Sequence, residues 1–510
     1  MRILLLSSFF FVLNFSALCQ AKTIKKLDSY FEQAINDWNV PGMEVLIIKG
    51  DEVLLEKGYG VKNTETNEPV TPNTLMAIAS NSKAFTSAAL AQLVDSGKVS
   101  WTDKVIDYLP YFRMYNDYVT QNMTIRDLLC HRSGLATFSG DLIWYGTHHS
   151  REEVVKRARF LKPVTGFRDE YGYQNIMFIA AGLVVEKVTG LTWDEYVKTN
   201  FFNPLGMNST VTSTLDLNAS KDVSAPHNFK FNKQIPIEWI NWDNMAPAGS
   251  IISCVSDMKY WLQTQLNEGI FKNDTLWSAS RTKEMWTVET SKSVSNWSKT
   301  NFPSKTFDGY GLGWGLFNYH GEKIVTHGGG YDGFISRVAM VPEEKLGIVI
   351  LTNTNTWLPS PLMYQILDAF LCDSKDKKDW SQFYLGIKNS VETADSVEQA
   401  ATEESRIKET ATSLNLSEYE GTYYCEMYGN LMVRAIGDQL AFQFEATPLF
   451  RGTLRHWHFD TFRLNWGSQM MLPSGFMTFV LDAHGKVDEL KVDVPNPDFD
   501  FSELEFKKVD

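Results

Sequence analysis

Ser80 and Lys83 stand three residues apart at the start of a segment rich in Ala and Leu. Positions three apart share one face of a helix. A helix beginning at Ser80 would bring the hydroxyl and the amine into contact. The Ser80 N–H would then lie at the positive end of the helix dipole. An unactivated hydroxyl is a poor nucleophile and needs a base. Lys83 can hold a proton-accepting neighbour and stabilise negative charge. Ser-x-x-Lys alone is common by chance, so the rest of the chain must supply partners.

Two distant segments do so. Tyr173-x-Asn175 stands at the mouth of a helix, and His327-Gly328-Gly329-Gly330 ends a strand. A phenol with a reference pKa near ~10 is a poor base at neutral pH unless a cation lowers it. A lysine in contact would do that. Tyr171 is the other candidate base, but only Tyr173 has an Asn two residues on. A glycine-rich strand edge lets a substrate backbone approach closely. An oxyanion needs two converging N–H donors, and the Ser80 N–H is one. His131 and Arg132 read as residues that cap a helix and brace a loop. The His148-His149 pair has no carboxylate or cysteine cluster beside it in sequence to make a metal site. His456 and His458 alternate on a strand and read as structural. Trp314 is a candidate for the cleft wall.

These segments need elements to position them. Ile24 to Trp38 has helical periodicity. Met43–Ile48 and Val53–Gly58 read as strands joined at Gly50-Asp51. The helix after Ser80 stops at Gly97. Thr124 caps a short helix, Ile176 to Val188 forms another, and Ser256 caps one through Trp261. The stretch from Asn208 to Met245 reads as irregular. Strands return at Lys323–His327, Phe334–Val341 and Leu346–Thr352, followed by a helix around Leu362 to Leu371. Strands at both ends of this region, with helices between, predict an α+β fold. One antiparallel sheet is covered by helices, a helical lobe stands beside it, and the site lies in the cleft between. Residues 374–413 turn to Lys, Glu, Asp, Ser and Ala and read as a charged linker, helical in part. Residues 414–510 alternate aromatic and β-branched runs with turn signals, as a small antiparallel β-domain of barrel or sandwich type.

At 510 residues the chain is too long for one ordinary core. Its net charge of −13 argues against nucleic acid and anionic lipid as partners. Arg2, the apolar run Ile3–Phe15 and the small residues near Ala17 to Ala21 read as a signal peptide over 1–21, cut after Cys19 or Ala21. A lipid anchor on Cys19 is disfavoured by the residues before it. The expected product is exported, periplasmic or secreted, with no transmembrane segment. Cys130, Cys254, Cys372 and Cys425 are far apart. Isolated thiols are the simpler reading, although an oxidising compartment would allow one disulfide.

Ser80-x-x-Lys83, Tyr173-x-Asn175 and His327-Gly328-Gly329, in that order, resemble the penicillin-recognising serine hydrolases: class C β-lactamases, D-alanyl-D-alanine carboxypeptidases and related esterases and peptidases. The resemblance runs from about Lys25 to Leu371. It includes Leu128 to Leu135, Pro204-Leu205-Gly206-Met207, Pro247-Ala248-Gly249 and Tyr310-Gly311-Leu312-Gly313-Trp314. It implies a hydrolase domain over 22–373 that forms an acyl-enzyme on Ser80 without metal or organic cofactor. Tyr173 would be general base and then general acid. Asn175 would hydrogen-bond the substrate, which His327, Gly329 and Gly330 would border, and Gly330 would give the second oxyanion N–H. Many β-lactamases carry Lys-Thr-Gly where this chain has His-Gly-Gly. That change weakens the case for recognising a free carboxylate and shifts weight toward an esterase, amidase or peptidase. The expected substrate is a small peptide, D-amino-acid amide, β-lactam or ester. The rivals are a carboxylesterase on the same scaffold and a non-catalytic binding protein; the intact Ser80, Lys83, Tyr173 and Asn175 argue against the second. The β-domain resembles the barrel often appended to this family, with three roles open: shaping the cleft, binding a partner, or self-association.

Overall fold

The computed structural model describes residues 2–219, 222–372, 378–467 and 472–509. An eight-stranded antiparallel sheet carries the first part of the chain. Its spatial order is Glu52–Gly60, Gly42–Lys49, Leu346–Thr352, Phe334–Val341, Glu322–Tyr331, Gly315–Tyr319, Asp308–Tyr310 and Thr290–Lys292. The join between early and late sequence is Gly42–Lys49 against Leu346–Thr352, with Met43 opposite Thr352 and Lys49 opposite Leu346. The expected sheet from the two ends of the domain is therefore present.

Side chains alternate across a sheet, so each strand feeds two cores. On one face Ile47, Ile348, Leu362, Ile366 and Trp380 pack with Phe31 and Trp38 of the long helix Arg2–Asp37. That helix extends well N-terminal of the periodic segment seen in the sequence. On the other face lies the helical lobe. Its centre is Ser82–Asp95, whose Phe85 stacks on Trp261 with ring centroids 3.7 Å apart. Asn175–Thr189 packs beside it and ends at Gly190, φ +74°. No single helix among the described residues is long and apolar enough to cross a membrane.

Three local expectations changed. Ser256 does not cap its helix: Val255–Leu266 starts after Cys254, and the Val255 N–H goes to the buried Glu44 carboxylate at 2.8 Å. A carboxylate from another strand outcompeted the local serine, whose hydroxyl donates to Glu56 instead. The Asn208 to Met245 stretch contains a small hairpin, His227–Lys230 with Lys233–Pro236. The charged segment after residue 374 carries a 25-residue helix, Trp380–Glu404, whose first turn is anchored by buried Trp380 on Pro359–Leu371. The Cys372-side junction, 373–377, lies outside the described residues. Cys130, Cys254, Cys372 and Cys425 are all unpaired.

Residues 421–508 close into an eight-stranded antiparallel barrel, Tyr423 of its first strand pairing with Lys508 of its last. Its interior is filled by Tyr423, Leu431, Phe444, Leu454, Phe462 and Leu464, so it is a packed core and not a channel. The barrel sits on the helical lobe. Phe499 packs on Tyr145 with centroids 4.5 Å apart, and Arg157 donates to the Met427 carbonyl at 2.7 Å. Glu503 accepts from the Ser139 hydroxyl and, at 2.8 Å, from the Gly140 N–H.

Sheet and lobe meet most closely at Gly329. A Cβ there would lie 2.4 Å from the Ile78 carbonyl, 2.5 Å from Ser336 Oγ and 2.9 Å from Ala79 Cβ. At Gly330 the same atom meets only Ile335 Cδ1, at 3.6 Å. Gly329→Ala should therefore cost about 1–3 kcal/mol, read as a lowered thermal unfolding midpoint. Gly330→Ala should stay within about 0.5 kcal/mol of the parent. Equal effects would contradict this packing.

Candidate active site

The turn Ala79–Asn81 leads into Ser82–Asp95, so Ser80 stands just before a buried helix, as its spacing predicts. Ala79 holds φ at +48°. That left-handed backbone costs an L-residue about 1–2 kcal/mol, and surrounding contacts hold it in place. Ser336 Oγ donates to the Ile78 carbonyl at 2.7 Å and accepts from Asn81 Nδ2 at 2.8 Å. Ser82 Oγ donates to the Ala79 carbonyl at 2.7 Å.

Lys83 is fully buried. Its Nζ lies 2.7 Å from Asn175 Oδ1, 2.8 Å from the Ala248 carbonyl and 3.0 Å from Ser80 Oγ. Burial pushes its pKa well below the usual lysine value, against a smaller opposing pull from Asp141. The partner set matters. The two carbonyl oxygens can only accept. Nζ donates to all three oxygens, Ser80 Oγ among them. With burial favouring the uncharged form, the amine stands within hydrogen-bond reach of the serine hydroxyl.

Asn175 is held in turn. Its Nδ2 donates to Asp141 Oδ2 at 2.7 Å, while Trp144 Nε1 donates to Asp141 Oδ1 at 2.8 Å. This fixes the amide so that its oxygen faces Lys83. Burial lifts the Asp141 carboxyl to about 8. The loop that carries Asp141 is the one gripped by Glu503 of the barrel. Asp141 went unnoticed in the sequence because Gly140-Asp141-Leu142 matches no motif and its partner is 34 residues away.

Tyr173 forms one wall. Its hydroxyl is hydrogen-bonded to Ser80, and its ring lies 4.7 Å from Lys83 Nζ. Burial pushes this phenol well above the usual tyrosine value. That is opposite to the expectation that Lys83 would pull it down, because the buried lysine itself favours the uncharged form. His131 braces the ring from behind, with centroids 4.2 Å apart, and its Nδ1 accepts the Gln174 N–H at 3.0 Å. The bracing role expected of His131 therefore extends to Tyr173. Tyr171 lies on the other side of His131, with ring centroids 5.6 Å apart.

His327 reaches the site from the sheet. The Tyr310 hydroxyl donates to its Nε2 at 2.8 Å, and its Nδ1 donates to the Gly328 carbonyl at 2.6 Å. Burial, with Lys83 nearby, pushes it down to about 3, so the ring is neutral. Gly329 is buried against the nucleophile turn, while Gly330 is exposed on the strand edge. Ser80, Tyr173, Asn175, His327 and Gly330 all line one cavity of about 1090 Å³. Lys83 lies beneath its floor. Trp314 is 1% exposed and belongs to the core, not the cleft wall. Tyr384 and Lys388 of the Trp380–Glu404 helix and Phe499 of the barrel complete the cavity wall; of the roles left open for the barrel, shaping the cleft is the one this contact meets.

Comparison with known proteins bears on the family and the fold. The beta-lactamase family model matches residues 27–369, and a model described as a domain of unknown function matches 405–508. An unguisins hydrolase from Aspergillus campestris is 30% identical over 422 residues, covering 79% of this chain and 76% of its own. The protein flp of Staphylococcus aureus is 25% identical over 346 residues, covering 65% and 63%. An octameric penicillin-binding protein homologue from Pyrococcus abyssi superposes with a TM-score of 0.62 at 22% identity, covering 95% of this chain and all of its own.

Asp141 lines the cavity, but both its oxygens are taken by Asn175 and Trp144, so it acts through position. Asp141→Ala should lower kcat by about 10²-fold with KM little changed, since a small misplacement of a catalytic group costs that much. Asp141→Asn keeps an acceptor for Asn175 but turns its own amide hydrogens toward the Trp144 N–H, so it should recover part of the loss. A KM effect without a kcat effect, or no rescue by Asn, would refute the positioning role.

Proposed function

The chain belongs to the beta-lactamase family of serine hydrolases, and from that premise we propose that it cleaves an amide or ester bond of a small peptide-like substrate through an acyl-enzyme on Ser80. The observation that carries this reading is the hydrogen-bond set of Lys83: two obligate acceptors and one serine hydroxyl.

Ser80 Oγ attacks the substrate carbonyl carbon as its proton passes to the Lys83 lone pair. The carbonyl oxygen takes up negative charge opposite the N–H groups of Ser80 and Gly330. When the tetrahedral species collapses, the bond to the leaving group breaks. The leaving nitrogen or oxygen is protonated by the Tyr173 hydroxyl, which is replenished from the Lys83 ammonium. Water then attacks the ester on Ser80, its proton returning by the same route, and the acid leaves with Ser80 restored. The upward push on Tyr173 and the downward push on Lys83 favour this division of labour, lysine as acceptor and tyrosine as relay. It exchanges the roles that the family resemblance implied. One observation favours a peptide over a simple ester: a cavity far larger than an acetyl ester needs. The apolar N-terminal segment supports export, with mature protein starting at Gln20 or Lys22; N-terminal sequencing of secreted material that returned Met1 would reject this.

A fluorophosphonate should label wild type at Ser80, and labelling that persists in Ser80→Ala would sink the mechanism. A fluorescent penicillin that labels equally well would move the assignment toward a β-lactam-binding enzyme. Lys83→Arg places a cation that cannot release its proton where a neutral amine works, and should lose about 10²–10⁴-fold in acylation rate. Tyr173→Phe should lose less for an activated ester, whose leaving group needs no proton, than for an amide.

The pH profile follows from the same pKa directions. A base works only when deprotonated, so the rate rises with pH as Lys83 loses its proton. Because that pKa is pushed below the ordinary lysine value, the acidic limb should lie well below pH ~10. A limb still rising there would point to an unperturbed lysine and overturn the assignment.

A further inference from the structure

One loop, residues 136–141, holds both proton-handling sides of the site. Asp141 fixes Asn175, which holds Lys83. The Phe138 N–H donates to the Tyr173 carbonyl at 2.8 Å, and the Tyr173 N–H donates to Thr137 Oγ1 at 3.2 Å. Gln174, between Tyr173 and Asn175, donates from its side chain to the Ala136 carbonyl. The same few residues therefore set where the Tyr173 phenol and the Asn175 amide stand.

This loop is strained. Phe138 holds φ at +64° and Gly140 at +80°. A left-handed backbone at a bulky L-residue is unfavourable and persists only where contacts on both sides hold it. On one side stand the bonds to Tyr173 and Gln174. On the other stands a single side chain of the barrel. Glu503 accepts from the Ser139 hydroxyl through Oε1 and from the Gly140 N–H through Oε2, the latter at 2.8 Å. Ser139 and Gly140 are the two residues between Phe138 and Asp141. Ser139 is buried, and burial pushes the Glu503 carboxyl up against the pull of these two hydrogen bonds. The clamp thus works out of water, where a lost partner is not replaced. Its own place is set by the barrel core: Glu503 ends the turn Phe501–Glu503, whose Phe501 is buried against Phe450 with ring centroids 5.8 Å apart.

We propose that Glu503 is a positioning residue for acylation: the barrel reaches across the domain boundary and, through Ser139 and Gly140, holds the loop that sets Tyr173 and Asn175 about Ser80. This rests on the acyl-enzyme reading above. The hydrolase domain then depends on the barrel for rate as well as for the cavity wall. Glu503 is not among the residues that line the cavity, so its loss should slow the chemistry and leave binding alone. A neighbouring contact supplies the control. Glu505 pairs with Lys162 at 2.5 Å across the same boundary, but both side chains are exposed and neither belongs to the loop.

The test is the labelling of Ser80 by a neutral fluorophosphonate, with maximal rate and half-saturating concentration measured separately, well below each variant's unfolding midpoint. Glu503→Ala should lower the maximal rate about 10²-fold and leave half-saturation within about 2-fold. Glu503→Gln can turn its amide oxygen to the Gly140 N–H and its amide hydrogens to Ser139 Oγ, which can accept, and should recover most of the loss. Glu505→Gln should stay within about 2-fold of the parent in both constants. Glu503→Ala combined with Asp141→Ala should lose less than the product of the two single losses, because both act through one loop. An unchanged maximal rate in Glu503→Ala, an equal loss in Glu505→Gln, no recovery in Glu503→Gln, or losses that multiply in the double variant overturns the proposal. If Glu503→Ala does not fold, Ser139→Ala takes its place: it removes one of the two bonds and should lower the maximal rate by a smaller factor at unchanged half-saturation, and no loss there overturns the proposal equally. Absence of any Ser80 labelling in wild type would instead indict the acyl-enzyme reading, so the two failures are distinct.

Discussion

The site depends on one buried amine. Lys83 lies under the cavity floor with two carbonyl oxygens and a serine hydroxyl as its hydrogen-bond partners. Burial penalises the ammonium form, while three oxygens accept from Nζ and hold it in place. Much of the surrounding structure serves this. Pro247 and Ala248 close the floor, the Pro247 carbonyl accepting from Thr86 at 2.6 Å. Asn175 presents its oxygen because Asp141 fixes its nitrogen. Phe178, with its ring 5.4 Å from Nζ, keeps the space apolar. A lysine at this position without that enclosure would be an ordinary cation.

The second constraint is the seam between lobe and sheet. The nucleophile turn belongs to the lobe, while the neutral His327 and the open Gly330 edge belong to a strand almost 250 residues later in the chain. They meet because Gly329 has no side chain and because Ser336 and Asn81 bridge the seam. The positive φ of Ala79 is tolerated at this seam. Strain of this kind persists where contacts on both sides over-determine the backbone, as they do here.

How much was legible in sequence follows from distance along the chain. Ser80 with Lys83 is a local pattern, and the helix that joins them made it readable. Tyr173-x-Asn175 and His327-Gly328-Gly329 carry their chemistry in residue type, so their convergence could be expected from resemblance. Asp141 could not be found this way, because nothing local marks it and its importance lies in one hydrogen bond to Asn175. The failed Ser256 cap shows the same limit: Glu44, over 200 residues away, offered a stronger acceptor. Residues 374–413 read as a charged linker, helical in part, and what composition hid was that the Trp380–Glu404 helix packs on the domain. Its charged outer face reads as linker, and only Trp380 and its neighbours in the first turns reveal the packed side. The direction of the Tyr173 shift was also beyond the sequence, since proximity to lysine was visible and burial was not.

The barrel then takes on a role that its packed interior alone would not suggest. Having no internal channel, it acts through its outer surface. Phe499 helps to wall the cavity, and Glu503 grips Ser139 and Gly140. The next residue is Asp141, which orients Asn175, which orients Lys83. Four hydrogen bonds thus connect a carboxylate near the end of the barrel to the Lys83 amine. Glu503 is itself pushed up by burial and adds to the upward push on Asp141. Removing the barrel would open the cavity wall and free the loop that holds Asp141. The same chain of contacts explains why the two domains share a continuous apolar core across Tyr145, Phe450 and Phe499. A loosely tethered barrel could not hold a hydrogen-bonded loop in register with the buried Lys83 amine.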